Sequence, residues 1–318
     1  MAGAIREFVG IHRSMTHARP TIPPRRLLPP VGQCIWCGKS PPEVQLTEEH
    51  AIPKSFGGIW ILPEGCCKTC EGDQSAYIGT CCERMFAALR LHHGLPVSRK
   101  RKRSARTVRI LSENNEITKV PHSDAPGIVV LPYLDFPRLL SGAPARENEF
   151  PIVDVYVAPT TDDAAVRQKT LEDEGFNRAL AYSEIPTTEF SRVVAHIAHC
   201  FYMTSVNSER EKSLMLPLAK GDLSRASLYL GGWPKTFTQF PPPPSGENDH
   251  QIIPFNARFN ENDYVAAHIR LFTHLRPLPP VYTVILCERD IPRGEQYFLF
   301  ERQERSEGIN IEITAMTA

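Results

Sequence analysis

The chain has no excess charge of either sign and no long apolar segment. Its 318 residues carry 36 Lys and Arg against 36 Asp and Glu, so the overall balance indicates neither an acidic nor a basic partner. No apolar run approaches the ~18 residues that span a bilayer, and the N-terminus lacks the apolar core of a signal peptide. We therefore expect a cytoplasmic protein with no membrane partner.

Internal repeats are also absent, and the charge, although balanced, is unevenly distributed. Residues 84–109 hold nine Arg and Lys and no Asp or Glu, and residues 1–30 hold five Arg and one Glu. A basic N-terminal third followed by a more acidic remainder favours nucleic acid as a partner.

Cysteine is present in a specific arrangement. Cys34 with Cys37, and Cys67 with Cys70, have the Cys-x-x-Cys spacing that supplies two thiolates to zinc from one turn. Four thiolates leave no open position, so such a zinc ion holds the fold and does no chemistry. The alternative is free cysteines packed as small apolar side chains. The 29 residues between Cys37 and Cys67 exceed the roughly 15–20 of the commonest zinc pattern, which indicates an inserted functional segment.

The inserted segment contains Glu49 and His50. A neutral imidazole can take a proton from water near neutral pH, and a carboxylate can hold a hard cation such as Mg²⁺. Adjacent side chains of an extended segment point to opposite faces. The two residues therefore share one site only if the backbone bends or the cation lies to one side. The alternative is a structural histidine in a zinc module that only binds.

The residues 48–58, EEHAIPKSFGG, between two Cys-x-x-Cys pairs resemble an HNH endonuclease of the zinc-stapled ββα-metal type. The resemblance implies a β-hairpin and a helix around the site, with His50 as general base and Glu49 at a position that binds catalytic Mg²⁺ or Mn²⁺. The family usually has Asn directly after the second pair. This chain has Glu71 there, a competent hard ligand, and Asp73 could substitute for it.

The predicted fold class is α+β, with a small zinc-bound ββα-metal finger followed by a larger mixed α+β domain. We expect a basic, Pro-rich arm over residues 1–33, the finger over 34–97, a basic linker over 98–106 and the α+β domain over 107–318. Periodicity predicts helices over Asp73–Leu91, Asp162–Leu171 and Phe190–Ser205. Strands are predicted over Thr107–Leu111, Gly127–Leu131, Pro151–Val157, Ser227–Leu230 and Val281–Cys287.

Basic side chains near the finger are predicted to contact DNA phosphates, which would make binding dependent on salt. The alternative for the dense run is a solvated linker. The candidates are Lys54, Arg99, Lys100, Arg101, Lys102, Arg103 and Arg106.

The sequence predicts a metal-dependent endonuclease that hydrolyses DNA, and the expected substrate is double-stranded. One alternative is a zinc finger that binds nucleic acid without cutting it, and another is a scaffold whose finger docks a protein. The C-terminal domain would supply target recognition, a partner surface or an oligomer contact. His196 and His199, three apart on a predicted helix, are interpreted as core or solvated histidines.

Overall fold

A computed structural model gives the fold of the chain. It describes residues 24–95, 107–111, 116–121, 127–147, 152–160, 164–173, 180–181, 185–206, 209–233, 250–305 and 308–317. The fold is α+β, as predicted, with a small strand-strand-helix region at the N-terminal side and a larger sheet region after it. No helix in these ranges is both long enough and apolar enough to cross a bilayer.

The N-terminal region is a hairpin followed by a helix. Strands β2 and β3 pair in antiparallel fashion, and the short β1 adds to β3 in parallel. Helix α1 starts directly after β3, with Cys67 in an extended conformation at its N-cap. The elements are β1 (Arg26–Leu27), β2 (Leu46–His50), β3 (Trp60–Cys67), α1 (Lys68–Arg84) and α2 (Ala87–His92).

The predicted helix over Asp73–Leu91 is wrong in its bounds, because two helices replace it. Helix α1 begins at Lys68, five residues before Asp73, and ends at Arg84. A break follows at Met85 and Phe86, which are both buried. The backbone N–H groups of Met85 and Phe86 both donate to the Cys81 carbonyl oxygen, so the regular helical hydrogen-bond pattern ends there. The break directs the Phe86 ring onto the Phe56 ring, with centroids 4.8 Å apart.

The remaining elements form a larger α+β region around a six-stranded sheet of order β14-β13-β10-β11-β12-β9. Smaller sheets have the orders β5-β4-β8 and β6-β7. The strands are β4 (Thr107–Leu111), β5 (Ile117–Pro121), β6 (Ile128–Leu134), β7 (Ile152–Pro159), β8 (Leu180–Ala181), β9 (Leu230–Gly232), β10 (His250–Phe259), β11 (Asn262–Leu271), β12 (Val281–Glu288), β13 (Gln296–Arg305) and β14 (Gly308–Thr317). The helices are α3 (Arg138–Ser141), α4 (Ala164–Asp173), α5 (Thr187–Ser205), α6 (Met215–Ala219) and α7 (Ala226–Tyr229).

The strand predicted over Ser227–Leu230 is wrong. The structure has helix α7 there, and β9 begins only at Leu230. The strand lies where its glycines permit a close backbone approach. A Cβ on Gly231 would be 2.3 Å from the Asp135 carbonyl oxygen, and one on Gly232 would be 2.3 Å from that of Leu134.

Helix α5 lies between the two regions. It packs against α1 on one side and against α6, β11 and β12 on the other. Thirteen of its 19 residues are buried, which explains why apolar side chains occur nearly all round it. One continuous hydrophobic core therefore joins the N-terminal hairpin and helix to the large sheet.

Candidate functional site

The two cysteine pairs meet at the base of the hairpin. The Sγ atoms of Cys34, Cys37, Cys67 and Cys70 all lie within 4.8 Å of one another, and those of Cys37 and Cys67 are 3.8 Å apart. Tetrahedral zinc with Zn–S bonds of about 2.3 Å requires sulfur atoms separated by about 3.8 Å. The donor set and its dimensions therefore fit structural zinc, in agreement with the sequence prediction.

The surroundings of Cys34 favour a thiolate. The Cys66 thiol hydrogen-bonds to Cys34 and lowers its pKa to about 4, and the Cys67 amide donates to its Sγ at 3.4 Å. Burial raises the pKa of Cys37 and Cys70 above the ordinary thiol value. Binding of zinc would therefore displace protons from those two thiols, because a metal-bound cysteine is a thiolate. The matched spacing identified the four ligands, but it gave no sign of the role of Cys66.

Glu49 points into the protein. Its side chain is buried, and its Oε2 accepts a hydrogen bond from the Trp36 indole at 2.7 Å. The Gln74 amide on α1, in the orientation that satisfies both groups, donates to the same oxygen at 2.9 Å. The other oxygen, Oε1, accepts the backbone N–H of His50 at 2.9 Å and lies 3.7 Å from His196 Nε2. Both carboxylate oxygens are therefore already engaged.

His50 lies at the end of β2 with its ring half-buried. Its Nδ1 is shielded from solvent and has no hydrogen-bond partner among the described residues. Burial lowers the pKa of His50, an effect that outweighs the attraction of the Glu49 carboxylate. The imidazole is consequently neutral at pH 7, the state in which a ring nitrogen can accept a proton.

The structure does not bring the predicted cation ligands together. Glu71 and Asp73 are exposed on the first turns of α1, whereas Glu49 is buried. Within the described ranges, the four cysteines are the one group of three or more His, Cys, Asp or Glu side chains close enough to share a metal ion. Glu71 also has a structural role available, since an acidic side chain in the first turn stabilises a helix. A catalytic cation at Glu49, Glu71 and Asp73 stays a prediction, and these three side chains do not form a ready pocket for it.

Of the predicted phosphate contacts, Lys54 lies within the described residues. It is exposed in the short 3₁₀ turn Lys54–Phe56 that follows β2. The basic run over residues 99–106 lies outside the described residues, as does most of the predicted N-terminal arm, and the proposed domain boundaries stay predictions.

Sequence reasoning missed the residues that surround Glu49 and His50. Trp36 occupies the interior of the first Cys-x-x-Cys turn, and Gln74 and Tyr77 are one turn apart on α1. His196 reaches the site from α5, more than a hundred residues away along the chain. Only the Gln74–Tyr77 spacing was readable beforehand, as a buried face of the helix.

The loop after β2 contains a glycine that tolerates no side chain. A Cβ on Gly58 would lie 1.7 Å from the Ile52 carbonyl oxygen, so the Gly58→Ala substitution must displace the backbone beside His50. We expect a loss of about 3 kcal/mol in the free energy of unfolding, measured by denaturant titration.

Gly72→Ala is the matched control. Gly72 is exposed on α1 with nothing within 4 Å of its Cβ position, and alanine stabilises a helix by up to about 1 kcal/mol relative to glycine. Equal stability of the two variants would contradict the close approach of Gly58 to Ile52.

Comparisons with known proteins bear on this region alone. No curated protein and no solved structure matches the chain. A family model described as HNH endonuclease matches residues 34–86, a segment that includes both cysteine pairs, Glu49, His50 and α1. Residues 34–86 therefore match the HNH endonuclease family model and contain a four-cysteine group consistent with a zinc-binding HNH motif.

Proposed function

We propose that the protein is a nuclease that hydrolyses phosphodiester bonds of DNA, with His50 as the general base. The observation that supports this most is the state of the His50 imidazole. It is neutral because it is half-buried, and its Nδ1 has no partner among the described residues. A neutral imidazole nitrogen can accept the proton of an attacking water molecule once water reaches it; in this structure the protein encloses Nδ1.

The proposal includes a requirement for Mg²⁺ or Mn²⁺. Such a cation, when bound, stabilises the negative charge that develops on the phosphate. Because both oxygens of Glu49 accept hydrogen bonds from the protein, we assign no step to a cation at Glu49. Glu71 and Asp73 are the predicted ligands whose carboxylates are exposed.

A finger that binds nucleic acid or a protein without hydrolysis is the second candidate. The burial of Glu49 favours it, since a carboxylate held by Trp36 and the His50 amide has a sufficient structural role. Under this alternative, Glu49 organises the hairpin and no cation is needed.

A plasmid-cleavage assay across a panel of divalent cations separates the two candidates. We expect nicked or linear DNA with Mg²⁺ or Mn²⁺ and intact DNA with excess EDTA. DNA that is retarded in a gel but never cut, with every cation tested, would support the binding module and contradict hydrolysis.

We expect the basic run to set the salt dependence of DNA binding. Substitution of Arg99, Lys100, Arg101, Lys102 and Arg103 by alanine should weaken binding at low salt and reduce the slope of log K against log salt by about 0.9 for each lost phosphate contact. Binding curves at several salt concentrations measure this slope. As an internal control, wild type and variant should converge at high salt. An unchanged slope would show that the run is a solvated linker.

A further inference from the structure

Two histidines of α5 hold the HNH module by its backbone. His199 Nε2 lies 2.9 Å from the carbonyl oxygen of Ile35, inside the first cysteine pair. His196 Nε2 lies 3.2 Å from the carbonyl oxygen of His50. A carbonyl oxygen only accepts, so in each ring Nε2 carries the proton. One helix from the C-terminal region therefore contacts both the zinc turn and the strand that presents the proposed base.

His196 is fully committed within the core. It is 1% exposed, and its Nδ1 lies 3.1 Å from the Tyr77 hydroxyl on α1. With the proton on Nε2, Nδ1 accepts from Tyr77. The ring also stacks on Trp36, with centroids 4.8 Å apart. These contacts fix the ring from two sides, so its Nε2–H has a single direction in which to donate.

The backbone of His50 is held at both of its polar groups. Its N–H donates to Glu49 Oε1 at 2.9 Å, and its carbonyl oxygen accepts from His196. Ordinary strand residues are held by the neighbouring strand alone. Here buried side chains hold the peptide groups on both sides of the His50 Cα, which restricts the φ and ψ that aim the imidazole.

From this geometry we propose that His196 is a positioning residue for His50. The C-terminal region thereby completes the nuclease site, because it supplies the donor that orients the base. This inference rests on the proposed function, and it gives Glu49 the role of a scaffold in the same network. A displacement of about 1 Å in a reacting group can cost 10²-fold in rate, so loss of this donor should affect turnover.

Two amide substitutions at one position separate positioning from packing. The glutamine amide nitrogen is as many bonds from Cβ as Nε2 of histidine, whereas the asparagine amide nitrogen corresponds to Nδ1. His196→Gln therefore keeps a donor for the His50 carbonyl, and His196→Asn keeps only a group facing Tyr77. We expect kcat for His196→Gln within about threefold of wild type, and for His196→Asn a loss of about 10- to 100-fold. KM and zinc content should stay unchanged in both.

Equal activity of the two variants, whether high or low, would overturn the proposal. A positioning role requires the variant that keeps a donor for the His50 carbonyl, His196→Gln, to be the more active one. His199→Asn is the control on the same helix. Because its contact is with Ile35 and not with His50, its expected effect is on zinc retention, with kcat per zinc-loaded molecule unchanged.

A spectroscopic measurement keeps the inference testable apart from cleavage. In long-range ¹H–¹⁵N spectra of the full chain, His196 should be the neutral tautomer with the proton on Nε2. The His50 ring signals should move in His196→Asn and stay in place in His196→Gln. A wild-type His196 protonated on Nδ1 would overturn the positioning role even if neither variant folds. If the wild-type protein cuts no DNA but these signals behave as expected, the proposed function fails and the structural link from His196 to His50 stands.

Discussion

His50→Ala should abolish DNA cleavage and leave the fold intact. Removal of a general base costs typically 10²–10⁴-fold in rate, and no hydrogen bond to Nδ1 is lost with the ring. Cleavage of a plasmid under single-turnover conditions measures the rate, and circular dichroism with zinc analysis checks the fold. Cleavage at the wild-type rate by His50→Ala would show that His50 is not the base.

The acid limb of the pH–rate profile gives a second test of the same residue. Burial lowers the pKa of His50 below the ordinary histidine value, so the neutral base should persist to a lower pH than in a free imidazole. We expect the cleavage rate to stay level as the pH falls through the ordinary value and to decline only at lower pH. His93→Ala is a suitable control. His93 directly follows α2, its ring packs against the His274 ring, and no role in the proposed site is assigned to it.

Cys67→Ser should release zinc and locally unfold the module. Structural zinc contributes on the order of 10 kcal/mol to the folding of isolated fingers, and the Cys67 Sγ lies within the four-sulfur group. The core that the module shares with the large sheet should offset part of that loss. We therefore expect the amides of β2 and β3 to lose protection from hydrogen exchange, while those of β11 and β12 keep it.

Cys66→Ser is a matched control for this prediction. Cys66 is the adjacent residue and equally buried, but its thiol donates to Cys34 and is not a member of the zinc group. A serine hydroxyl can replace that donor. Zinc content near one ion per chain is expected for Cys66→Ser, with a clear deficit for Cys67→Ser. An equal loss of zinc from both variants would mean that the ligand set is wrong.

Local sequence patterns correctly predicted the strands and helices whose formation depends mainly on residues close together in the chain. Strand β4 coincides with the predicted Thr107–Leu111, and α5 extends the predicted Phe190–Ser205 by three residues at its start. The β10–β11 hairpin went unpredicted. Strand β11 includes His268 and Arg270, polar side chains that interrupt its apolar pattern and are nevertheless buried. Their burial depends on partners elsewhere in the chain, such as Thr283 on β12, whose hydroxyl lies 3.1 Å from His268 Nδ1.

The spacing of Cys34, Cys37, Cys67 and Cys70 determined the zinc frame by itself, because a two-residue gap brings two sulfurs to one ion wherever the turn forms. The position of Glu49 and His50 within that frame was equally readable. Which way Glu49 faces was decided only by the tertiary structure. Its carboxylate turns inward because Trp36 and the His50 amide meet it there. The role of His196 was decided in the same way, since a hydrogen bond across 146 positions of the chain has no local signature.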